Sequence, residues 1–376
     1  MTLNVLHLSH SGLPDPRVER LAMMSQSYAK SIFLGPPSSS HRLHQEAFSE
    51  VRCIDAFTTA SKLGLPFFYK RLLDEVKEHV KVVEPDLIYA HNIITGKVAR
   101  DLGLPFVYDD HEYWSREMKL KRIGVSSIPK RMKNRIRRYW VPQRYLIWEK
   151  EVLPAASATV TVSEAIAKEH RRNGANCSVI PNFPLKQESE HIPTPELHQG
   201  NLKAISLSSD SIAWVEHRYP GNHMEMWEKE GGINVDWVGR PPPKEWKWIQ
   251  HRNRIPPADL YEVLTRNYQL GLIPWTRCWF HRYVLSNKLV SYSHSGLIIL
   301  LTDDFETMLG LLPNWGRFIF GGDEDLKQVM KSLQKMSPEE IVSIRKRLQR
   351  WAKEEVVLDK YTDALRAAIF STQDGE

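Results

Sequence analysis

The chemically densest run in the chain is Asp109-Asp110-His111-Glu112-Tyr113-Trp114, at the end of the apolar segment FVYDD. A histidine and three carboxylates at a strand's carboxyl end are costly unless solvated or used. His91 and Asn92 end the preceding apolar segment, DLIYAH, so two histidines stand at the tips of strands that can be neighbours. A polar loop with a helix cap is the bland alternative. A metal pair is a further one, although two histidines without a matched carboxylate geometry make a weak ligand set. Asp323-Glu324-Asp325 has the Asp-x-Asp spacing that can hold a metal on a nucleotide sugar. It opens a helix directly after Gly321-Gly322, where acids complement the macrodipole, and reads as a cap.

Leu285-Ser286-Asn287-Lys288-Leu289 introduces a helix that ends near Gly296. Ser286 suits the cap position. Lys288 in the first turn opposes the dipole, which makes sense where the free N–H groups hold an anion such as phosphate; a chance surface lysine is the alternative. Near the amino terminus, Ser9-His10-Ser11-Gly12-Leu13-Pro14-Asp15 follows the first apolar run. It is neither a GxGxxG fingerprint nor a P-loop, though Gly12 would let a ligand approach the backbone. Between Arg116 and Trp140 lie ten basic residues and a single acid, Glu117, so this segment carries +9 in a chain of net +6. Lys130, Arg131, Lys133, Arg135, Arg137 and Arg138 are interleaved there with Met132, Ile136, Tyr139 and Trp140. Basic and apolar residues on one helix suggest an anionic membrane surface. A merely solvated helix and RNA are the competing readings, nucleic acid being the least favoured.

These residues need elements to position them. LNVLHLS (3–9), SIFLG (31–35), DLIYAH (86–91), FVYDD (106–110), ATVTVS and SVIPN (178–182) read as short buried strands, separated mostly by helical stretches at 69–83, 94–102 and 163–173. Asp15-Pro16 opens a helix as cap and first helical residue, and Gly174 suits a helix C-cap. Residues 184–201 turn polar and proline-containing, the mark of a linker. The alternation then restarts, with strands at 202–208, 233–239, 268–275, 297–301 and 317–320. Helices are expected at 257–265, 287–295, 323–335 and 338–353. Val357, Tyr361, Leu365 and Ile369 stripe a last helix at steps of four. Such alternation predicts an α/β protein of two doubly wound, Rossmann-like domains facing across a cleft. The boundaries are 1–183, a linker at 184–201, a second domain at 202–353, and a returning helix at 354–376. Ligands of such sheets bind beyond the strands' carboxyl ends, where the polar clusters fall.

Composition excludes other classes. A chain of 376 residues with 42% hydrophobic and 26% charged residues is neither collagen-like nor wholly disordered. The start MTLNVLHLSHSG lacks a signal-peptide pattern, and no run has the length of a membrane span. Cys53, Cys177 and Cys278 are too few and too scattered for a disulfide framework. The expected location is cytoplasmic, peripheral on the inner face of a membrane.

Taken together, DPRVERLAMM, PDLIYAHNIITGKVARDLGLPFVYDDHEYW, ASATVTVSEAIAKEHRRNGANCSVIPNFP, DLYEVLTRNYQLGLIPW and SNKLVSYSHSGLIILLTD resemble, in order, segments of glycosyltransferase family 4. That is the retaining group with two Rossmann-like domains (the GT-B fold), and the likeness runs from about residue 3 to 370. The resemblance implies transfer of a sugar from a UDP- or GDP-linked donor to a lipid-linked or glycan acceptor at the cytoplasmic membrane face. It implies that His111 lies at the reaction centre, and that Arg218, Ser286, Asn287, Lys288 and Ser291 belong to the donor side. Gly12, Asp15 and Arg17 would belong to the acceptor side. No metal or other cofactor is implied, because the helix dipole and basic side chains neutralise the leaving diphosphate. The final helix of such proteins crosses back to the first domain. Two departures stand out: Tyr283 and Ser291 occupy the places of the family's paired glutamates, and the family's arginine–lysine pair is represented only by His217 and Arg218. Two rival readings follow, a non-catalytic binding protein or partner subunit of the same fold and a sugar transferase acting on RNA.

Overall fold

Strands in this chain are apolar runs of mostly three to seven residues that cannot satisfy their backbone groups alone, so they assemble into two parallel sheets. The computed structural model describes residues 2–39, 42–57, 66–123, 128–208, 214–239, 241, 245–321 and 323–371. In chain order its strands are β1 (Leu3–Ser9), β2 (Ala29–Gly35), β3 (Glu50–Cys53), β4 (Leu87–His91), β5 (Phe106–Asp110), β6 (Arg122–Ile123), β7 (Ala158–Thr161) and β8 (Cys177–Val179). They continue with β9 (Lys203–Leu207), β10 (Trp214–Val215), β11 (Asn234–Val238), β12 (Ile249–Arg252), β13 (Leu270–Ile273), β14 (Ile298–Thr302) and β15 (Arg317–Phe320). The helices of the first half are α1 (Pro16–Ser25), α2 (Pro66–Val83), α3 (Asn92–Leu102), α4 (Trp114–Glu117), α5 (Ile128–Val152) and α6 (Glu164–Arg172). Those of the second are α7 (Lys186–Glu190), α8 (Gly221–Glu230), α9 (Leu260–Asn267), α10 (Asn287–His294), α11 (Glu306–Leu311), α12 (Asp323–Lys335), α13 (Pro338–Glu355) and α14 (Thr362–Phe370).

The chain forms two units. The first comprises Met1–Lys119, Met132–Asn182 and Leu358–Glu376. Its sheet runs β3-β2-β1-β4-β5-β7-β8, all parallel. Leu6, Leu8, Ile88 and Ala90 are fully buried in its core, each leucine or isoleucine contributing about 2 kcal/mol. The second unit comprises Leu120–Arg131 and Phe183–Val357. Its sheet runs β12-β11-β9-β13-β14-β15, again all parallel. Strand order reverses beside β1 in the first sheet and beside β9 in the second. Those reversals open the crevices in which doubly wound folds bind ligands.

Three sequence expectations shift. β3 and β12 fall outside the apolar pattern because they are edge strands with largely exposed side chains, drawn into the sheet by one neighbour. The basic stretch 116–140 is not one helix: it is divided among α4, β6 and the first half of α5, and β6 pairs antiparallel with β10 of the second unit. The polar segment after Asn182 is packed, not loose. The Pro193 carbonyl accepts from Gln349 Nε2 at 2.7 Å, and that of Ile192 from Lys353 Nζ at 3.1 Å. The final helix α14 returns to the first unit, where Phe370 meets Tyr28 at 5.6 Å between ring centroids.

Candidate functional site

In the first unit the site grows from the tips of β1, β4 and β5. Asp109, the penultimate residue of β5, is fully buried and would be expensive to ionise alone. Arg17, from the first turn of α1, is placed by the Asp15 cap, whose side chain accepts from the Arg17 and Val18 amides. Its Nη2 donates to Asp109 Oδ1 at 2.6 Å, its Nε to Oδ2 at 2.8 Å, and its Nη1 to the Ile180 carbonyl at 2.9 Å. His91 Nδ1 lies 3.1 Å from Asp109 Oδ2 and can only donate to it, so Nε2 accepts from His7 Nδ1 at 3.2 Å. Burial lowers both of these rings' pKa values, in keeping with neutral imidazoles.

His111, just beyond β5, is 13% exposed, with Nδ1 3.5 Å from Asp109 Oδ2. The Asn92 amide lies 3.2 Å from His111 Nε2. Burial disfavours the charged ring, but the Asp109 carboxylate outweighs it and the His111 pKa is raised. Asp109 itself, despite burial, is held well below the usual carboxylate range by Arg17 and His111. Asn92 and Tyr113, which flank this group, adopt left-handed backbone with φ of 69° and 50°. Strain of this kind concentrates where geometry is constrained for function. The arrangement presents one largely buried but accessible, cation-prone imidazole backed by a rigid ion pair. His91, Asp109 and His111 could each offer a ligand atom within 4.8 Å of the others. Asp109 already serves a buried guanidinium, however, and a dication would stand beside that charge. The donor set fits an ion-pair network better than a metal.

In the second unit the site lies at the β9/β13 reversal. Ser206, Leu207, Ser208, Arg218, Trp237, Trp275 and Lys288 line a pocket there. Ser286 caps α10 by accepting from the Lys288 amide at 3.3 Å. The Lys288 ammonium stands 4.8 Å from the Trp275 ring centroid. Burial first, and the Arg218 charge second, pull its pKa down to about 7. Arg218 donates through Nε to His217 Nε2 at 2.9 Å. Among the described residues no carboxylate pairs with either cation. Two uncompensated cations in one pocket form an anion site.

Several expected residues sit elsewhere. Arg17 is 3% exposed and pairs with the buried Asp109. Asp15 is occupied as a cap, and a Cβ at Gly12 would lie 2.8 Å from the Pro37 carbonyl oxygen, so this glycine serves chain packing. Of the α10 positions only Lys288 lines the pocket; Asn287 is exposed and Ser291 lies a turn further on. On α5, Arg131 and Arg135 are exposed. Arg137 and Arg138 instead reach back to Met118 Sδ and the Lys119 carbonyl. The side chains of Lys130 and Lys133 lie outside the described residues. Sequence reasoning missed Trp275, Trp237 and the Arg17–Asp109 pair. Trp275 was findable, since it follows β13 by two residues at a switch point; the pair bridges 92 residues with no local signal.

Residues 30–183 match the family profile described as Glycosyltransferase Family 4. No curated protein matches the chain. Among solved structures it is similar to sucrose-phosphate synthase from Thermosynechococcus elongatus, with a TM-score of 0.72 at 11% identity over 98% of this chain and 99% of that one. A glycosyltransferase from Rickettsia africae gives a TM-score of 0.67 at 12% identity, with complete coverage of both chains. The Anabaena protein HepE, solved in complex with UDP, gives 0.64 at 13% identity over 99% of this chain and 100% of that one. At these identities the likeness establishes the fold.

Proposed function

We propose, from the premise that this chain is a glycosyltransferase whose residues 30–183 form a family 4 domain, that it moves a sugar from a UDP-linked donor to a lipid-linked or glycan acceptor at the cytoplasmic face of a membrane, with retention at the anomeric carbon. The observation that carries the donor assignment is the pocket in which Arg218 and Lys288 stand with no carboxylate partner among the described residues. A departing nucleoside diphosphate supplies the missing negative charge, and fixed cations in a desolvated pocket stabilise it most as that charge develops. UDP is favoured over GDP because HepE, of the same fold, was solved with it. No bound metal is required in this reading, since the two cations do the neutralising.

His111 serves the sugar. An imidazole held by Asp109 and flanked by Asn92 can fix a sugar hydroxyl while the anomeric carbon gains positive charge. The membrane assignment rests on α5. Met132, Ile136, Tyr139, Trp140 and Ile147 are all more than half exposed there, beside exposed Arg131 and Arg135. Among the described residues no helix is long and apolar enough to cross a membrane, so α5 would lie on the surface.

A thermal-shift panel with UDP, GDP, CDP and ADP tests the donor reading. UDP at a hundredfold excess over Kd is expected to stabilise the fold by about 2.7 kcal/mol. If none of the four nucleotides shifts the transition, the reading fails.

A further inference from the structure

Arg218 has a feature that the anion-site reading leaves unexplained. An arginine beside a second cation, with no carboxylate among the described residues to hold it, should swing to solvent. Here it is held by a histidine. His217 is 1% exposed and sits in the same single helical turn, Glu216–Arg218. Its Nε2 accepts from Arg218 Nε at 2.9 Å. The ring is wedged edge-on against Trp275, with centroids 6.2 Å apart, and Phe280, with centroids 5.5 Å apart.

The turn is anchored from behind. His281, fully buried and stacked at 4.0 Å on Phe305, points Nε2 at the His217 carbonyl at 2.7 Å and Nδ1 at Asp304 Oδ2 at 2.8 Å. Both of its nitrogens face oxygen atoms, so the ring ties the His217 carbonyl to the Asp304 carboxylate. Asp304 is held in turn by the Thr302 hydroxyl at 2.6 Å and the Cys278 amide at 2.8 Å.

We propose that His217 is a positioning residue for donor binding, its neutral imidazole aiming the Arg218 guanidinium into the pocket beside Lys288. This rests on the donor reading above. A carboxylate at this position would fix Arg218 equally well, but it would cancel one of the two charges and repel a diphosphate. An imidazole acceptor fixes the arginine and leaves the charge for the ligand. It consumes only Nε–H and leaves the Nη donors for phosphate oxygens. Burial and the surrounding cations hold the His217 pKa well below its ordinary value, so the ring stays an acceptor.

The test compares His217→Ala, His217→Gln and His217→Glu for UDP affinity by calorimetry, donor KM and kcat, and thermal transition without nucleotide. The alanine variant should bind UDP about tenfold or more weakly, and its kcat/KM should fall at least as far, because the Arg218 charge counts most as the diphosphate departs. The glutamine variant, whose Oε1 can accept the same N–H, should recover most of the affinity, and the glutamate variant should not. Wild-type protein that binds no nucleotide would sink the donor reading and this inference together. Wild-type binding with unchanged affinity in His217→Ala overturns the inference alone. So does an equal loss in the alanine and glutamine variants tracking an equal fall in thermal transition, because that is the signature of packing.

Discussion

Lys288 shows how much a binding residue can cost the protein that carries it. An ammonium in a desolvated pocket beside another cation is disfavoured, which is why its pKa falls to about 7 in the folded chain. Its unfolded value is near 10.4. Between those values the unfolded chain binds more protons, so the free protein gains stability as pH rises through that window. Lys288→Met should therefore leave the nucleotide-free thermal transition unchanged or higher at pH 7 while abolishing the UDP shift. A variant that loses both would mean the lysine is structural. For the same reason wild-type UDP affinity should fall above pH 7, by at most about tenfold per unit, because the diphosphate selects the ammonium. His111 is the opposite case. Its raised pKa stabilises the fold below its unfolded value near 6.5, and that contribution is lost as pH rises through the folded value. Since the ring is at the surface of the Arg17–Asp109 pair, His111→Ala should lower turnover at least a hundredfold with little change in thermal transition. Equal loss of both would remove it from the chemistry.

At the level of elements, what distinguishes this chain is α5. A helix on a protein surface ordinarily turns its apolar stripe inward. α5 does so with Tyr145 and Trp148, which pack on the core of the first unit, and leaves Ile136, Tyr139 and Trp140 outside. Exposed aromatic and aliphatic side chains next to Arg131 and Arg135 suit the boundary between headgroups and acyl chains. Replacing Ile136, Tyr139 and Trp140 together with serine should reduce co-sedimentation with vesicles containing anionic phosphatidylglycerol by tenfold or more, without altering UDP binding. Unchanged sedimentation would assign the stripe to some other contact. The shorter α10 works by its end: Ser286 sets the start of the helix, and the first turn then delivers Lys288 to the pocket.

Over the whole molecule, one architecture is used twice. Each unit has a parallel sheet whose strand order reverses beside its first strand, and each candidate site sits at that reversal. The physical reason is common to both. Crossover helices leave opposite faces on the two sides of the reversal, and polar side chains at the strand tips face an unfilled crevice. The units then carry different chemistry there, a caged imidazole in the first and a pair of cations in the second. The chain's last segment, Leu358–Glu376, is counted in the first unit although it follows the second in sequence.

The sequence by itself determined what is local. Apolar runs separated by helical periodicity dictated parallel sheets, Asp15-Pro16 and Ser286 marked helix starts, and the strand tips pointed to His91, His111 and the α10 turn. These signals act over a few residues, at the periods of strand and helix. Only the tertiary structure decided which tips meet. Strand order places β1 beside β4 and β9 beside β13, non-consecutive neighbours that no local pattern encodes. Those pairings made Arg17 the buried partner of Asp109, and brought Arg218 to Lys288 with His217 behind it. Charges far apart in sequence become a site only when the fold removes the water between them.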